Sequence, residues 1–133
     1  MNTERPCQAR LAELGAAVAA ARARVREAET AHQRALAEIA RFKDVAIEAY
    51  SVGDEPRAAK ASKERARLEG SALRDASERV QGAQLAATTA EDERGRYAAE
   101  RADELLHELE PDARAAAQAV EDAVEALTRA HSR

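Results

Sequence analysis

The chain has 133 residues, of which 35% are charged and 2% aromatic, and it contains no Trp. About a quarter of the residues are Ala, a composition typical of long helices and coiled coils, whereas sheets are rich in β-branched and aromatic residues. The net charge of −4 argues against a nucleic-acid-binding protein, and apolar residues that are mostly Ala cannot build a thick core.

No apolar run approaches the roughly 20 residues of a transmembrane helix. The first residues lack the basic segment of a signal peptide, and a single Cys excludes an internal disulfide. An amphipathic helix whose apolar face is mostly Ala would be a weak membrane anchor. We therefore expect a soluble, cytoplasmic chain without a transmembrane segment, and membrane-surface binding is not favoured.

The first predicted helix spans about residues 4–50. Small and apolar residues recur there alternately three and four positions apart, at Leu11, Leu14, Val18, Ala21, Val25, Ala28, His32, Ala35, Ile39, Phe42, Ala46 and Ala49. This spacing predicts a coiled-coil seam. His32 is its single polar member, and it either pairs with Asp75 and fixes the register of the two helices, or is simply tolerated in a seam of small residues.

A turn is predicted over residues 51–56. Gly53 can adopt the left-handed conformation that ends a helix, Asp54 or Ser51 can cap the next helix, and Pro56 fits its first turn. The second helix then spans about residues 57–109. Such a short connection favours an antiparallel hairpin, and folding at Gly53 places Val25 opposite residues 82 and 83.

Pro111 is predicted to end or kink the second helix, and a third helix spans about residues 112–131. Leu105, Leu106 and Leu109 lie beyond the end of the hairpin and need a cover. The third helix can fold back over them, another subunit can dock there, or the third helix can continue the second. This third helix has its own four–three repeat, at Ala113, Ala117, Val120, Val124, Leu127 and His131.

Two Glu-x-x-His elements, Glu29–His32 and Glu104–His107, match a di-iron ligand pattern. In the predicted hairpin they are roughly 48 Å apart, so we predict no metal or cofactor. Cys7 lies near a helix N-terminus and two Arg residues, which can lower a thiol pKa, but no His is nearby and a small seam residue is the simpler interpretation. Since catalysis usually needs a concave pocket, we predict no enzyme.

Several apolar residues at the predicted hairpin tip lie off the seam. They are either a partner or self-association surface or the scattered apolar residues that any surface carries. The set comprises Leu36, Ala40, Ile47, Tyr50 and Val52.

The sequence thus predicts a single all-α domain: a long antiparallel two-helix coiled-coil hairpin with a shorter third C-terminal helix, assembling into a helical-bundle oligomer. We expect a non-enzymatic structural or assembly protein, a spacer or scaffold that contacts itself or another protein. The chain is rich in Ala and has 18 Arg but only 3 Lys, which suggests a GC-rich genome. A phage or prophage assembly component would suit this composition, and it would act in the cytoplasm or in a virion. The alternative is an adaptor or inhibitor that binds a partner helix along the exposed stripe.

Overall fold

The computed structural model describes residues 5–132, and within that range its regular elements are all helical. Four α-helices and one π-helical turn follow each other: α1 (Pro6–Ser51), α2 (Glu55–Arg67), the π turn (Leu68–Ala72), α3 (Leu73–Glu100) and α4 (Ala102–His131). The predicted all-α fold, with a long helical hairpin and a shorter C-terminal helix, is confirmed. Assembly into an oligomer stays a prediction.

The turn between α1 and α2 has the hydrogen bonds of a Schellman motif. Gly53 has a φ of 75°, and its N–H donates to the Tyr50 carbonyl, while the Asp54 N–H donates to the Ala49 carbonyl over 2.9 Å. The Asp54 side chain then caps α2 by accepting from the Arg57 N–H at 3.2 Å. The chain therefore reverses at the predicted residues, because only Gly adopts this φ without a steric cost.

The structure comprises two compact units, and α1 contributes to both of them. One unit spans Ala16–Glu91, where α1 packs antiparallel to α2 and α3. Its core is a seam of small residues, and Ala49 and Ala58 are completely buried near the turn. Without longer side chains between them, the two helices approach closely there.

The π turn interrupts the second arm of this hairpin. The Leu73 N–H donates to the Leu68 carbonyl five residues back, so the turn uses one residue more than an α-helical turn. Farther along, Val25 lines one groove together with Gln84 and Ala87 of α3, close in sequence to the predicted partners at 82 and 83.

The other unit combines the described part of α1 up to Gly15 with residues 92–132. Leu14 and Leu105 are its buried large residues, at 5% and 9% exposure. Between α3 and α4, Arg101 leaves the helical conformation with φ −110° and ψ 20°. The Leu105 N–H nevertheless donates to the Arg101 carbonyl at 2.9 Å, so the backbone resumes its helical hydrogen bonding at once.

The predicted helix boundaries at 109 and 112 differ from this arrangement, because α4 continues through Pro111. Pro removes one helical hydrogen bond, the one to the carbonyl four residues earlier. That residue is His107, whose side chain is 86% exposed, so this turn of α4 lies at the solvent surface. The continuous helix corresponds to one of the three arrangements considered for the C-terminal segment. The single-domain prediction stays a prediction.

Candidate functional site

The predicted apolar patch at the tip is exposed to solvent. Val52 is 71% exposed, Ile47 and Tyr50 are each 58% exposed, and Leu36 is 38% exposed. Ala40 is exposed as well. The seam of the hairpin does not cover these side chains, because they lie on other sides of α1 or in the turn. Whether they bind a partner stays a prediction.

Asp75, one member of the proposed register pair, lines a gap in the seam. Asp75 lines a groove of about 310 Å³ together with Ala28, Ala35 and other small residues of α1 and α3. His32 is half-buried on α1 between these two alanines in sequence. Within residues 5–132, the hydrogen bonds and ion pairs include none between His32 and Asp75. The structure brings their helices together here, and their role in register stays a prediction.

A carboxylate of α4 caps the N-terminus of α1. Both Glu108 oxygens accept hydrogen bonds of 2.8 Å, one from the Cys7 N–H and the other from the Gln8 N–H. Beside them, the Arg5 guanidinium donates to Asp112, with Nη2 and Oδ1 2.7 Å apart. The first N–H groups of a helix have no partner within the helix, so Glu108 satisfies two of them from a residue a hundred positions away. We call these contacts the α1 clasp.

The α1 clasp changes the acidity of its members. Burial tends to raise the pKa of Glu108, but the N–H donors of Cys7 and Gln8 outweigh it and leave the pKa lowered. The hydrogen bond from Arg5 lowers the pKa of Asp112. Burial raises the pKa of the Cys7 thiol, and the carboxylates of Glu108 and Glu104 add to the increase.

Cys7 is therefore held as a thiol, and a thiol is a poorer nucleophile than a thiolate. From the sequence, the two neighbouring Arg residues, Arg5 and Arg10, were expected to lower the pKa of Cys7. In the structure Arg5 bonds to Asp112, and Arg10 pairs with Glu13 at 3.1 Å and lies 3.8 Å from Glu93. The sequence did not indicate Glu108, because its position next to Cys7 depends on the packing of α4 against α1.

The α1 clasp predicts an acid-sensitive N-terminus. Because the pKa of Glu108 is lowered on folding, its contribution to stability is complete above the ordinary value of 4.5 and disappears as the pH falls through the lower folded value. Hydrogen exchange at the Cys7 and Gln8 amides should accelerate over this interval beyond the intrinsic pH dependence. Glu108→Gln should expose both amides already at neutral pH and remove the transition, whereas Glu125→Gln should change neither. An unchanged transition in Glu108→Gln would rule out the clasp.

A second exposed apolar surface lies on α4. Its large members are Leu106, Leu109, Val120, Val124 and Leu127, between 46% and 69% exposed. The sequence predicted the spacing of Val120, Val124 and Leu127. It also predicted that Leu106 and Leu109 need a cover. The sequence left open whether both sets lie on one helix, and in the structure α4 carries both.

Across residues 5–132, no three His, Cys, Asp or Glu side chains are grouped so that they could hold a metal ion. In the same range, none of the helices combines the length and the apolar character needed to cross a bilayer.

The chain was compared with models of known protein families, with curated proteins and with solved structures, and it matches none of them.

Proposed function

We propose that this chain is a non-enzymatic structural or assembly protein, a coiled-coil spacer or scaffold that associates with further copies of itself. We place its action in the cytoplasm or in an assembling virion, and the Ala- and Arg-rich composition suits a phage or prophage component. The proposal depends on one observation about the described residues: they expose more large apolar side chains than they bury.

The imbalance is clear from the side chains themselves. Among residues 5–132 the buried apolar set comprises seven alanines and only three larger residues, Leu14, Val18 and Leu105, whereas ten large apolar side chains are exposed. Single exposed apolar residues are normal, but grouped ones mark interaction sites. Apart from Leu85 on α3, the exposed residues form two groups, one at the hairpin tip and one on α4. A chain with so small a core gains stability when such groups are covered by other copies.

The ionisable groups also support a structural role. The carboxylates with altered pKa, Glu108 and Asp112, bond to the start of α1. The Tyr97 hydroxyl, whose pKa is raised by burial and by its hydrogen bond to Cys7, belongs to the same cluster. These shifts follow from contacts that tie α1 to α3 and α4, and such networks perturb pKa values without any catalytic purpose.

Light scattering on the purified protein tests the proposal. We expect a mass that is a multiple of 14.3 kDa and rises with concentration. Replacing Ile47 by Lys and Tyr50 by Ser should reduce the mass if the tip patch contributes to assembly. The matched control carries Gln33→Lys and Thr30→Ser, which introduce the same two residues at exposed positions of the same helix without removing a large apolar side chain. A monomer at every concentration would contradict self-assembly.

The alternative function, an adaptor or inhibitor that binds a partner helix, uses the same exposed patch. Two results together would favour it. The wild-type protein is monomeric, and a protein that binds both the wild type and the control variant fails to bind the variant with Ile47→Lys and Tyr50→Ser.

A further inference from the structure

The C-terminal part of α4 has no packing partner among the described residues. Every residue from Leu109 to Ser132 is exposed. Helices in water gain most of their stability from packing of an apolar face, and even Ala-rich segments are marginal alone. The large exposed residues of α4 are therefore expected to be covered by another helix.

A heptad seam of mostly apolar residues runs along α4, with Glu110 and His131 as its polar members. The a and d positions are, in chain order, Leu106, Glu110, Ala113, Ala117, Val120, Val124, Leu127 and His131. Beside this seam the g positions are also apolar, at Leu109, Ala116, Ala123 and Ala130. We call these residues the α4 stripe. Seam and g positions together make a face wider than a strict a and d seam, and small residues at g let a second helix approach closely.

The side of α4 that contacts α1 is different. Glu108 and Asp112, which bond to the start of α1, occupy f and c positions, and the buried Leu105 is also at c. The f positions lie opposite the a and d seam, and the c positions border only its g edge, where Leu109 is still 46% exposed. Contact with α1 therefore leaves the a and d positions free. The stripe can therefore be covered without breaking the α1 clasp.

We propose that the α4 stripe binds the α4 stripe of a second copy in antiparallel orientation, about a twofold axis between residues 118 and 119. This inference rests on the proposed function, because it specifies the surface and orientation of self-association. In this register a positions face d positions throughout. Ala117 faces Val120 of the second copy, Ala113 faces Val124, Glu110 faces Leu127, and Leu106 faces His131.

The charges favour this orientation over the parallel one. Arg114 and Glu121 occupy e positions, and antiparallel pairing brings Arg114 next to Glu121 of the second copy on each side of the axis. In a parallel, in-register pair, Glu110 would meet Glu110 of the second copy within the seam, and opposed like charges are destabilising. In the antiparallel pair Glu110 keeps its own ion pair with Arg114. The interface is isologous, so it closes as a dimer.

A membrane surface is a less suitable partner. Between Ala102 and His131 there are eight acidic side chains and two Arg. Anionic lipids attract helices with a basic polar face, and this helix has the opposite charge. The two apolar faces of a dimer need no such attraction.

Site-specific cross-linking distinguishes the two orientations. In a Cys7→Ser background, one full-length preparation carries Ala113→Cys and another, with a different tag, carries Val124→Cys. In the antiparallel dimer these two positions face each other, whereas the two copies of either one are roughly 16 Å apart along the helix axis. A short bismaleimide should therefore give covalent dimers when the two preparations are mixed. It should give few covalent dimers in either preparation alone. Cross-linking of each preparation alone indicates parallel pairing and overturns the proposal, as does a failure to cross-link in all three samples.

A second measurement separates this inference from the proposed function. Val124→Lys places a charge in the seam of both copies, and it should raise the dissociation constant of the dimer roughly 100-fold or more in sedimentation equilibrium. Ala115→Lys, at an f position, is the control and should leave the constant unchanged. If Val124→Lys self-associates like the wild type, the α4 interface is wrong but the assembly function survives. If the wild type is monomeric throughout, both fail.

Discussion

Replacing Leu14 by Ala should lower the free energy of unfolding by about 2–3 kcal/mol, the lower part of the range for Leu-to-Ala changes in protein cores. Leu14 is only 5% exposed, so the substitution removes apolar contacts and leaves a cavity between α1 and its neighbours. Because the core is a single seam between helices, it can partly close over such a cavity. We therefore do not expect the largest decreases in the free energy of unfolding. Urea denaturation followed by circular dichroism measures the change.

Leu85→Ala is the matched control for this substitution. Leu85 is 69% exposed, so the same atoms are removed from a position already in contact with water. We expect a change within about 0.5 kcal/mol. Both variants must be compared with the wild type at one protein concentration, because self-association makes apparent stability depend on concentration. Equal losses in the two variants would show that Leu14 is not part of the core.

Replacing Ala49 by Leu should destabilise the protein although it adds apolar surface. Ala49 is completely buried where α1 meets α2, and its neighbours in the core, Ala46, Ala58 and Ala61, are all at most 4% exposed. A larger side chain must push the two helices apart at the turn. Overpacking of this kind costs about 1–3 kcal/mol, measured by the same denaturation experiment.

The control for Ala49→Leu is Ala37→Leu, at an exposed position of the same helix. Leu and Ala differ little in helix propensity, so this variant should be close to the wild type in stability. If Ala49→Leu were equally stable, the close approach of the helices at the turn would be wrong. A higher stability for Ala49→Leu would indicate unfilled space between α1 and α2.

Much of the fold follows from local features of the chain. The three–four spacing from Leu11 to Ala49 predicts one long helix because each such step returns to the same side of a helix. Gly53 and Asp54 predict the reversal because their preferences act within a few residues, through a left-handed φ and a side-chain cap. The tip patch was predictable in the same way, since Ile47 and Tyr50 lie off the spacing of the seam.

The boundary between α3 and α4 was not predictable from these local preferences. Pro111 is the strongest local signal for a break, yet the helix continues through it and is interrupted at Arg101. The turn of α4 that loses the hydrogen bond removed by Pro111 lies at the solvent surface, where the His107 side chain is exposed. The π turn at Leu68–Ala72 likewise has no unambiguous sequence signal, although Gly70 lies within it.

The sequence by itself determined the helices, the position of the reversal and the small size of the core, because spacing, Gly conformation and Ala content act within one or two turns of helix. Only the tertiary structure decided that Glu108 caps α1 from a distant helix and that, among residues 5–132, the rest of α4 has no packing partner. Those two features depend on which residues are brought side by side by packing, and contacts between residues a hundred positions apart leave no periodic pattern in the chain.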